Sequence, residues 1–176
     1  MSPSLTVAGQ VSAGDELAGL AGDRALAGLV IGLPGDFGDA LDLLGAILSG
    51  GRGSRLQSNL IYDKQLAQDI NAGNGSREVA GQFQVTSTAR PGKTLEEIEK
   101  EINAEIERVK QTPPTADEIS RALNRVEASS IFGLQTVQGK ADALNRNATF
   151  FGKPDMFQQQ LDEYRRVTPA DIQRVA

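Results

Sequence analysis

The 176-residue chain contains no histidine and no cysteine, and tryptophan is absent as well. The first two absences exclude the most chemistry. Zinc, copper and non-haem iron centres draw on imidazole or thiolate, and a carboxylate-only set suits none of them. Ser-His-Asp and Cys-His nucleophiles are excluded, as are disulfides and thiol redox chemistry. Carboxylate, lysine, tyrosine and Ser/Lys chemistry stay open, and so does an oxygen-ligated Mg²⁺ or Ca²⁺. Zero cysteine leaves the compartment undecided, because reducing and oxidising compartments both tolerate it.

Long apolar runs and basic runs are also missing. The longest mostly apolar stretch, Ala25–Leu33, is far shorter than the ~20 residues of a membrane span. Met1–Gln10 has neither the basic start nor the apolar segment of a signal peptide. The 23 Asp+Glu against 18 Lys+Arg give a formal net charge of −5 with no basic patch, which argues against nucleic acid or an anionic membrane as partner.

What is present is enough for one domain. A chain of this length buries roughly 70% of its unfolded surface and needs no covalent staples. Residues 1–24 have no clean period and read as a poorly defined, loose or partly extended segment. Ala25–Leu33 is a continuous apolar run stopped by Pro34-Gly35, the pattern of a buried strand. Leu41, Leu44, Ile47 and Leu48 mark one face of a helix that Asp36 or Asp39 is suited to cap and that Gly50-Gly51 ends. Ser54–Lys64 reads as a second short helix with Leu56, Leu60 and Ile61 on one face, and Ala67–Gly73 as a strand. Asn74-Gly75 is a turn dipeptide. Gln82–Ala89 alternates Phe83, Val85, Ser87 and Ala89 against Gln and Thr, a half-buried strand with one wet face.

From Thr94 the chain turns helical. Thr94-x-x-Glu97 and Thr115-x-x-Glu118 are capping boxes, and Pro113-Pro114 separates their two helices. The second helix is expected to run on, with Gly133 as a kink, through Gln135–Phe151 to a stop at Gly152. Pro154 is expected in the first turn of the next helix, which carries Phe157, Leu161 and Tyr164. Thr168-Pro169 starts the last one. Strands early and helices late predict an α+β fold with helices laid on a sheet. Three strands make a thin sheet whose edges need covering, so a piece of a larger protein is expected.

Few motifs carry chemistry. Gly50-Gly51-Arg52-Gly53-Ser54 precedes a helix, where N–H groups converge on anions, but it has neither the Lys-Ser/Thr end of a P-loop nor Rossmann spacing. Asp36, Asp39 and Asp42 are oxygen ligands by type, without EF-hand spacing, and capping is the preferred reading. The six glutamates of Thr94–Lys110 read as a solvated outer face, helped by a Glu96/Lys100 pair. Lys140 and Tyr164 have no partner identifiable from sequence.

The order of helix, Gly50-Gly51, Ser54-Arg55-Leu56, a helix ending Leu60–Leu66 and a strand resembles the repeat domain of the pitrilysin/insulinase family of zinc metallopeptidases, which includes the mitochondrial processing peptidase. The resemblance continues through Arg90–Glu97, Thr115–Ile119, Gly152–Asp155 and Tyr164–Ile172, and so covers 25–176. It implies an α/β sandwich whose mixed, largely antiparallel sheet is covered on one face by helices. Two such lobes close around an extended peptide or protein substrate. One lobe carries His-x-x-Glu-His, zinc and catalysis, and the other holds substrate. A chain without histidine matches the second, non-catalytic kind, so no catalytic residue and no metal ligand are expected in it, and zinc is expected in the partner lobe or subunit. Where the family's non-catalytic lobe supplies an Arg and a Tyr to the peptide, this chain has Ile61 and Gln68, which replace neither the charge nor the phenol. The resemblance leaves Gly50, Gly51, Gly53 and Gln68 as candidate substrate contacts, with strand addition at a sheet edge as the mode of grip. It also implies that the domain is a truncated piece of a longer protein, with a bacterial envelope or periplasmic location by analogy and a cytoplasmic one as the alternative. A purely structural scaffold within the same family is the competing reading.

Overall fold

The computed structural model describes residues 9–11, 24–29, 38–75 and 82–176, with side chains over 38–75 and 82–176. Four strands form one sheet: β1 (Gly9–Val11), β2 (Arg24–Leu29), β3 (Ala67–Gly75) and β4 (Gln82–Ala89). Their order is β1-β2-β4-β3, and all three pairings are antiparallel. The expected three-strand sheet thus gains β1, from the segment read as loose or partly extended. The expected strand Ala25–Leu33 is present as Arg24–Leu29, and 30–33 lie outside the described residues, as does the candidate cap Asp36.

Six α-helices follow the strand pattern onto one face: α1 (Gly38–Ser49), α2 (Leu95–Gln111), α3 (Ala116–Gly133), α4 (Val137–Phe151), α5 (Phe157–Arg166) and α6 (Pro169–Val175). The alternation in β4 does what period two requires. Phe83, Val85, Ser87 and Ala89 are buried toward the helices, and the Gln and Thr residues face the other way. Leu43, Leu48, Leu56, Leu60, Ile98, Val109 and Ile172 complete the core. Thr94, Thr115 and Thr168 each accept from the backbone N–H three residues on, and Glu97, Glu118 and Asp171 return to the cap N–H, so three helices begin with closed capping boxes.

The seat of α1 on β3 is the tightest junction. A Cβ on Gly45 would stand 3.0 Å from the Ala72 carbonyl oxygen, so a side chain there would push helix and strand apart by a few tenths of an ångström. One turn later the buried Ser49 hydroxyl accepts from the Ala72 N–H at 2.7 Å and donates within 3.2 Å of the Ala72 and Gly45 carbonyls. In an antiparallel strand the N–H and C=O of one residue point to the same side. Ser49 therefore closes the outer edge of β3 at Ala72.

Three helical expectations change. Ser54–Lys64 is not an ordinary α-helix. Over Gln57–Asp63 the turns widen, with Lys64 N–H reaching Asn59 O at 2.9 Å. The extra residue keeps Leu56 and Leu60 inside while Asn59 turns toward α2, where its amide meets Glu101 and Glu105 at 3.3 Å each. Second, the helix does not bend at Gly133 but stops. Tight turns from Leu134 to Ile131 and from Gln135 to Phe132 end α3, and the Thr136 hydroxyl caps α4 through the Gly139 N–H. Third, Pro154 lies outside α5. Its carbonyl accepts from Asn147, which turns the chain back before the helix begins at Phe157.

Two of the glutamates assigned to the wet face of α2 are structural ties. Glu105 is buried and pairs with Arg108, and Glu101 pairs with Lys64. On α3, Glu118 takes a bidentate contact from Arg55 at 2.6 and 2.9 Å.

Ser49→Ala is expected to destabilise the fold by roughly 1–3 kcal/mol, because it strands the buried Ala72 N–H. Urea unfolding of the variant and the parent chain measures this directly. An unchanged midpoint would remove the junction from its central role.

Candidate functional site

The glycine loop is built by the end of α1. Gly50 donates to Ala46 O at 2.8 Å, and a side chain there would run into that carbonyl. Gly51 has φ +123, a backbone that L side chains rarely adopt. Ser54 then locks the turn, donating its N–H and its hydroxyl to Gly51 O at 2.9 and 2.6 Å. Arg125 on α3 donates to Gly50 O at 2.9 Å, and the Arg52 guanidinium lies 5.8 Å from the Tyr62 ring centre. With Arg121 these groups surround a cavity of about 100 Å³. The place is electropositive, since Glu118, the carboxylate on its wall, is already held by Arg55.

Gln68 is elsewhere, at a bulge where β3 and β4 slip between Ala67 and Asp69. Its side-chain amide donates to Ala89 O at 2.8 Å and replaces a ladder bond that the bulge removes. Ile61 packs against the hydrophobic core. The two positions matched to an Arg and a Tyr are therefore turned to holding the chain itself.

Sequence reading did not single out the open face of the sheet. Asn71, Asn74, Gln82, Gln84 and Thr86 line a shallow hollow of about 310 Å³ together with Gly73 and Gly75. The side chains of Asn71, Gln82, Gln84 and Thr86 are uncharged amides or hydroxyls, able to donate to and accept from a peptide backbone, whereas the Asn74 amide is engaged with Gly38 O and Asp42 on α1. The signal was present as the wet half of the β4 alternation. Its meaning depends on Asn71 lying opposite Thr86 in the strand pair.

Tyr164 does have a partner. Its hydroxyl donates to Asp42 at 2.6 Å across 122 positions of sequence, and the Asn74 amide donates to the same carboxylate at 3.2 Å. Burial raises the Asp42 pKa against these two bonds, and burial with the Asp42 charge pushes the phenol up. Burial next to Asp42 and Glu163 also raises Asp39, to about 6. The group ties α5 to α1 and β3. Among the described residues no three His, Cys, Asp or Glu side chains converge on a metal position. The sequence has no imidazole or thiolate to offer zinc. No described helix is long and apolar enough to cross a membrane.

Comparison with known proteins adds a family to this geometry. The model of the peptidase M16 inactive domain matches residues 35–126. An uncharacterised zinc protease of Streptomyces coelicolor is 25% identical over 153 residues, which are 84% of this chain and 33% of that protein. The chain thus spans about a third of that relative. A protease from Helicobacter pylori superposes with a TM-score of 0.73 at 24% identity, over 86% of this chain and 36% of its own. The inactive peptidase domain of a Bordetella parapertussis protein named as a zinc protease also gives 0.73, at 22% identity, over 88% and 85% of the two chains. At such identities the solved structures establish the shared fold.

The shifted carboxyls predict a measurable pH profile. The Asp39 pKa is raised on folding, so the unfolded chain binds fewer protons than the folded one between about pH 4 and 6, and stability falls as pH rises through that window. Glu118, lowered to about 2 by Arg55, acts the other way, and its contribution is lost as pH falls from about 4.5 toward 2. Asp39→Asn is expected to flatten the fall between pH 4 and 6.5 and to raise stability at pH 7 by about 1 kcal/mol, solvent screening keeping the effect small. Denaturant titrations at several pH values read this out. An equal slope in both proteins would show that Asp39 titrates normally.

Proposed function

The chain belongs to the peptidase M16 inactive-domain family, and on that premise we propose that it is the non-catalytic lobe of a pitrilysin-type zinc metallopeptidase. It helps enclose and hold an extended peptide while a partner lobe with His-x-x-Glu-His supplies zinc and catalysis. The observation that carries this reading is the open sheet face. A wall of amides and hydroxyls formed by Asn71, Gln82, Gln84 and Thr86 suits a peptide backbone of any sequence, because it pairs with N–H and C=O groups and asks for no particular side chain. Strand addition along β3 fits less well, since Ser49 already occupies the outward N–H and C=O of Ala72. The glycine loop with Arg52, Arg121 and Arg125 is a second contact suited to a carboxylate of the substrate.

The chain's own part is binding and orientation. Zinc in the other lobe would polarise the scissile carbonyl and activate water. Holding the peptide extended reduces the entropy to be lost on reaching that centre.

A structural scaffold is the second reading. It is favoured by Gln68, whose amide is engaged with Ala89 O, and by Ile61, which packs inward. The two readings separate in one assay, in which the chain, the partner lobe with His-x-x-Glu-His and a quenched peptide are mixed. Faster hydrolysis than by the partner alone is expected, with none from this chain alone. Asn71→Ala with Gln84→Ala is expected to raise KM roughly tenfold, the loss of two hydrogen bonds. No rate increase with the wild-type chain would leave the scaffold. Zinc-dependent cleavage by this chain by itself would overturn both.

A further inference from the structure

Three arginines converge on one cavity in a chain whose net charge is −5. Arg121 and Arg125 stand four residues apart on α3, where like charges repel along one helix face. Arg52 joins them from the glycine loop, its guanidinium 5.8 Å from the centre of the Tyr62 ring. Among the described residues none of the three forms an ion pair. The carboxylate on the wall, Glu118, gives both oxygens to Arg55. Arg125 spends Nη1 on Gly50 O at 2.9 Å, and Arg121 has no hydrogen bond among the described residues. A guanidinium has donors to spare after one such bond. The corner therefore keeps positive charge and unspent donors that the described part of the domain does not satisfy.

We propose that this corner makes the lobe selective for acidic peptides. Arg121 and Arg125 fork onto a carboxylate of the substrate, and Arg52, positioned by the Tyr62 ring, closes over it. This rests on the reading of the chain as a lobe that holds peptide, and it names the kind of peptide. Chemistry and size select the occupant. Guanidinium forks match the two oxygens of a carboxylate, and such charge-assisted bonds are stronger than neutral ones. A cavity of about 100 Å³ has room for a carboxylate but is well below the ~300–1,000 Å³ of small-molecule and cofactor pockets. An occupant of that size carries the rest of its body outside, as an acidic side chain or a C-terminal carboxylate of an extended peptide does. Gly53 leaves the loop open to such a chain, since a Cβ there would meet nothing within 4 Å. The amide hollow asks for no particular side chain, so sequence preference falls to the arginines.

The test is an amide NMR titration of this chain with N-acetyl-glutamate N-methylamide, its glutamine counterpart, and N-acetyl-alanine, whose carboxylate is C-terminal. The acids are expected to shift the Gly51 and Gly53 amides and to bind about tenfold more tightly than the glutamine probe. Whichever acid binds more tightly identifies the source of the carboxylate. The preference is expected to weaken several-fold between about 20 and 200 mM NaCl. Arg121→Gln with Arg125→Gln is expected to abolish it. Tyr62→Ala, which frees Arg52, is expected to weaken acid binding roughly threefold, with Tyr62→Phe restoring the parent value. Equal shifts from the glutamate and glutamine probes, or none from either acid, overturn the proposal, whether or not inorganic phosphate binds. The substituted side chains are all exposed, and the same spectra report that each variant is folded. The mixing assay reports the lobe reading separately. Acid binding without faster hydrolysis sinks the lobe and leaves the anion site, and faster hydrolysis without acid preference does the reverse.

Discussion

The close approach of α1 to β3 organises the rest of this domain. Gly45 removes the one side chain that would hold the two apart, and Ser49 supplies the polar partner that the buried Ala72 backbone requires there. From this junction α1 reaches β3 on one side and α3, α5 and α6 on the other. The same turn of helix ends in Gly50-Gly51, so the junction also sets the height at which the glycine loop leaves the core. A buried serine is a more specific device than another leucine would be. It fixes register as well as contact, since its hydroxyl must meet both polar groups of one strand residue.

Polar ties do the corresponding work around the widened turn of Gln57–Asp63. Arg55 to Glu118, Asn59 to Glu101 and Glu105, and Lys64 to Glu101 attach this segment to α2 and α3. The Arg55 and Asn59 ties are partly buried, so removing one partner leaves the other desolvated. The result is a firm base under a loop whose Arg52 stands near Arg121 and Arg125 of α3. On the opposite side of the sheet the surface is amide-rich and open. The domain thus presents a neutral, hydrogen-bonding wall and an electropositive corner, a combination that handles backbone and carboxylate without chemistry of its own.

Much of this was legible beforehand. The β4 alternation, the apolar face of α1, the capping boxes at Thr94 and Thr115 and the Thr168-Pro169 start are local patterns, and local patterns are readable from one stretch of chain. The M16 assignment was legible too, because it rests on ordered short motifs. What escaped reading was non-local. Tyr164 and Asp42 meet across 122 positions. Asn59 finds Glu105 only when the widened turn rotates it inward, and periodicity counted at 3.6 residues cannot register an inserted residue. The break before Thr136 was read as a kink because glycine, the louder signal, precedes the cap that starts α4.

The amino-acid sequence by itself determined that this chain holds no histidine or cysteine ligand, since composition excludes imidazole and thiolate whatever the fold. It also determined which faces of most helices and of β4 are apolar, because side-chain period follows directly from backbone geometry. Tertiary structure decided which of those faces are used. Ser49 closes the edge of β3, Gln68 turns back to its own sheet, and α4 leaves Val137, Leu144 and Phe151 exposed while burying Asn147. The physical reason is the same in each case. A periodic pattern says that a face is apolar or polar, but only the placement of distant elements says what that face meets.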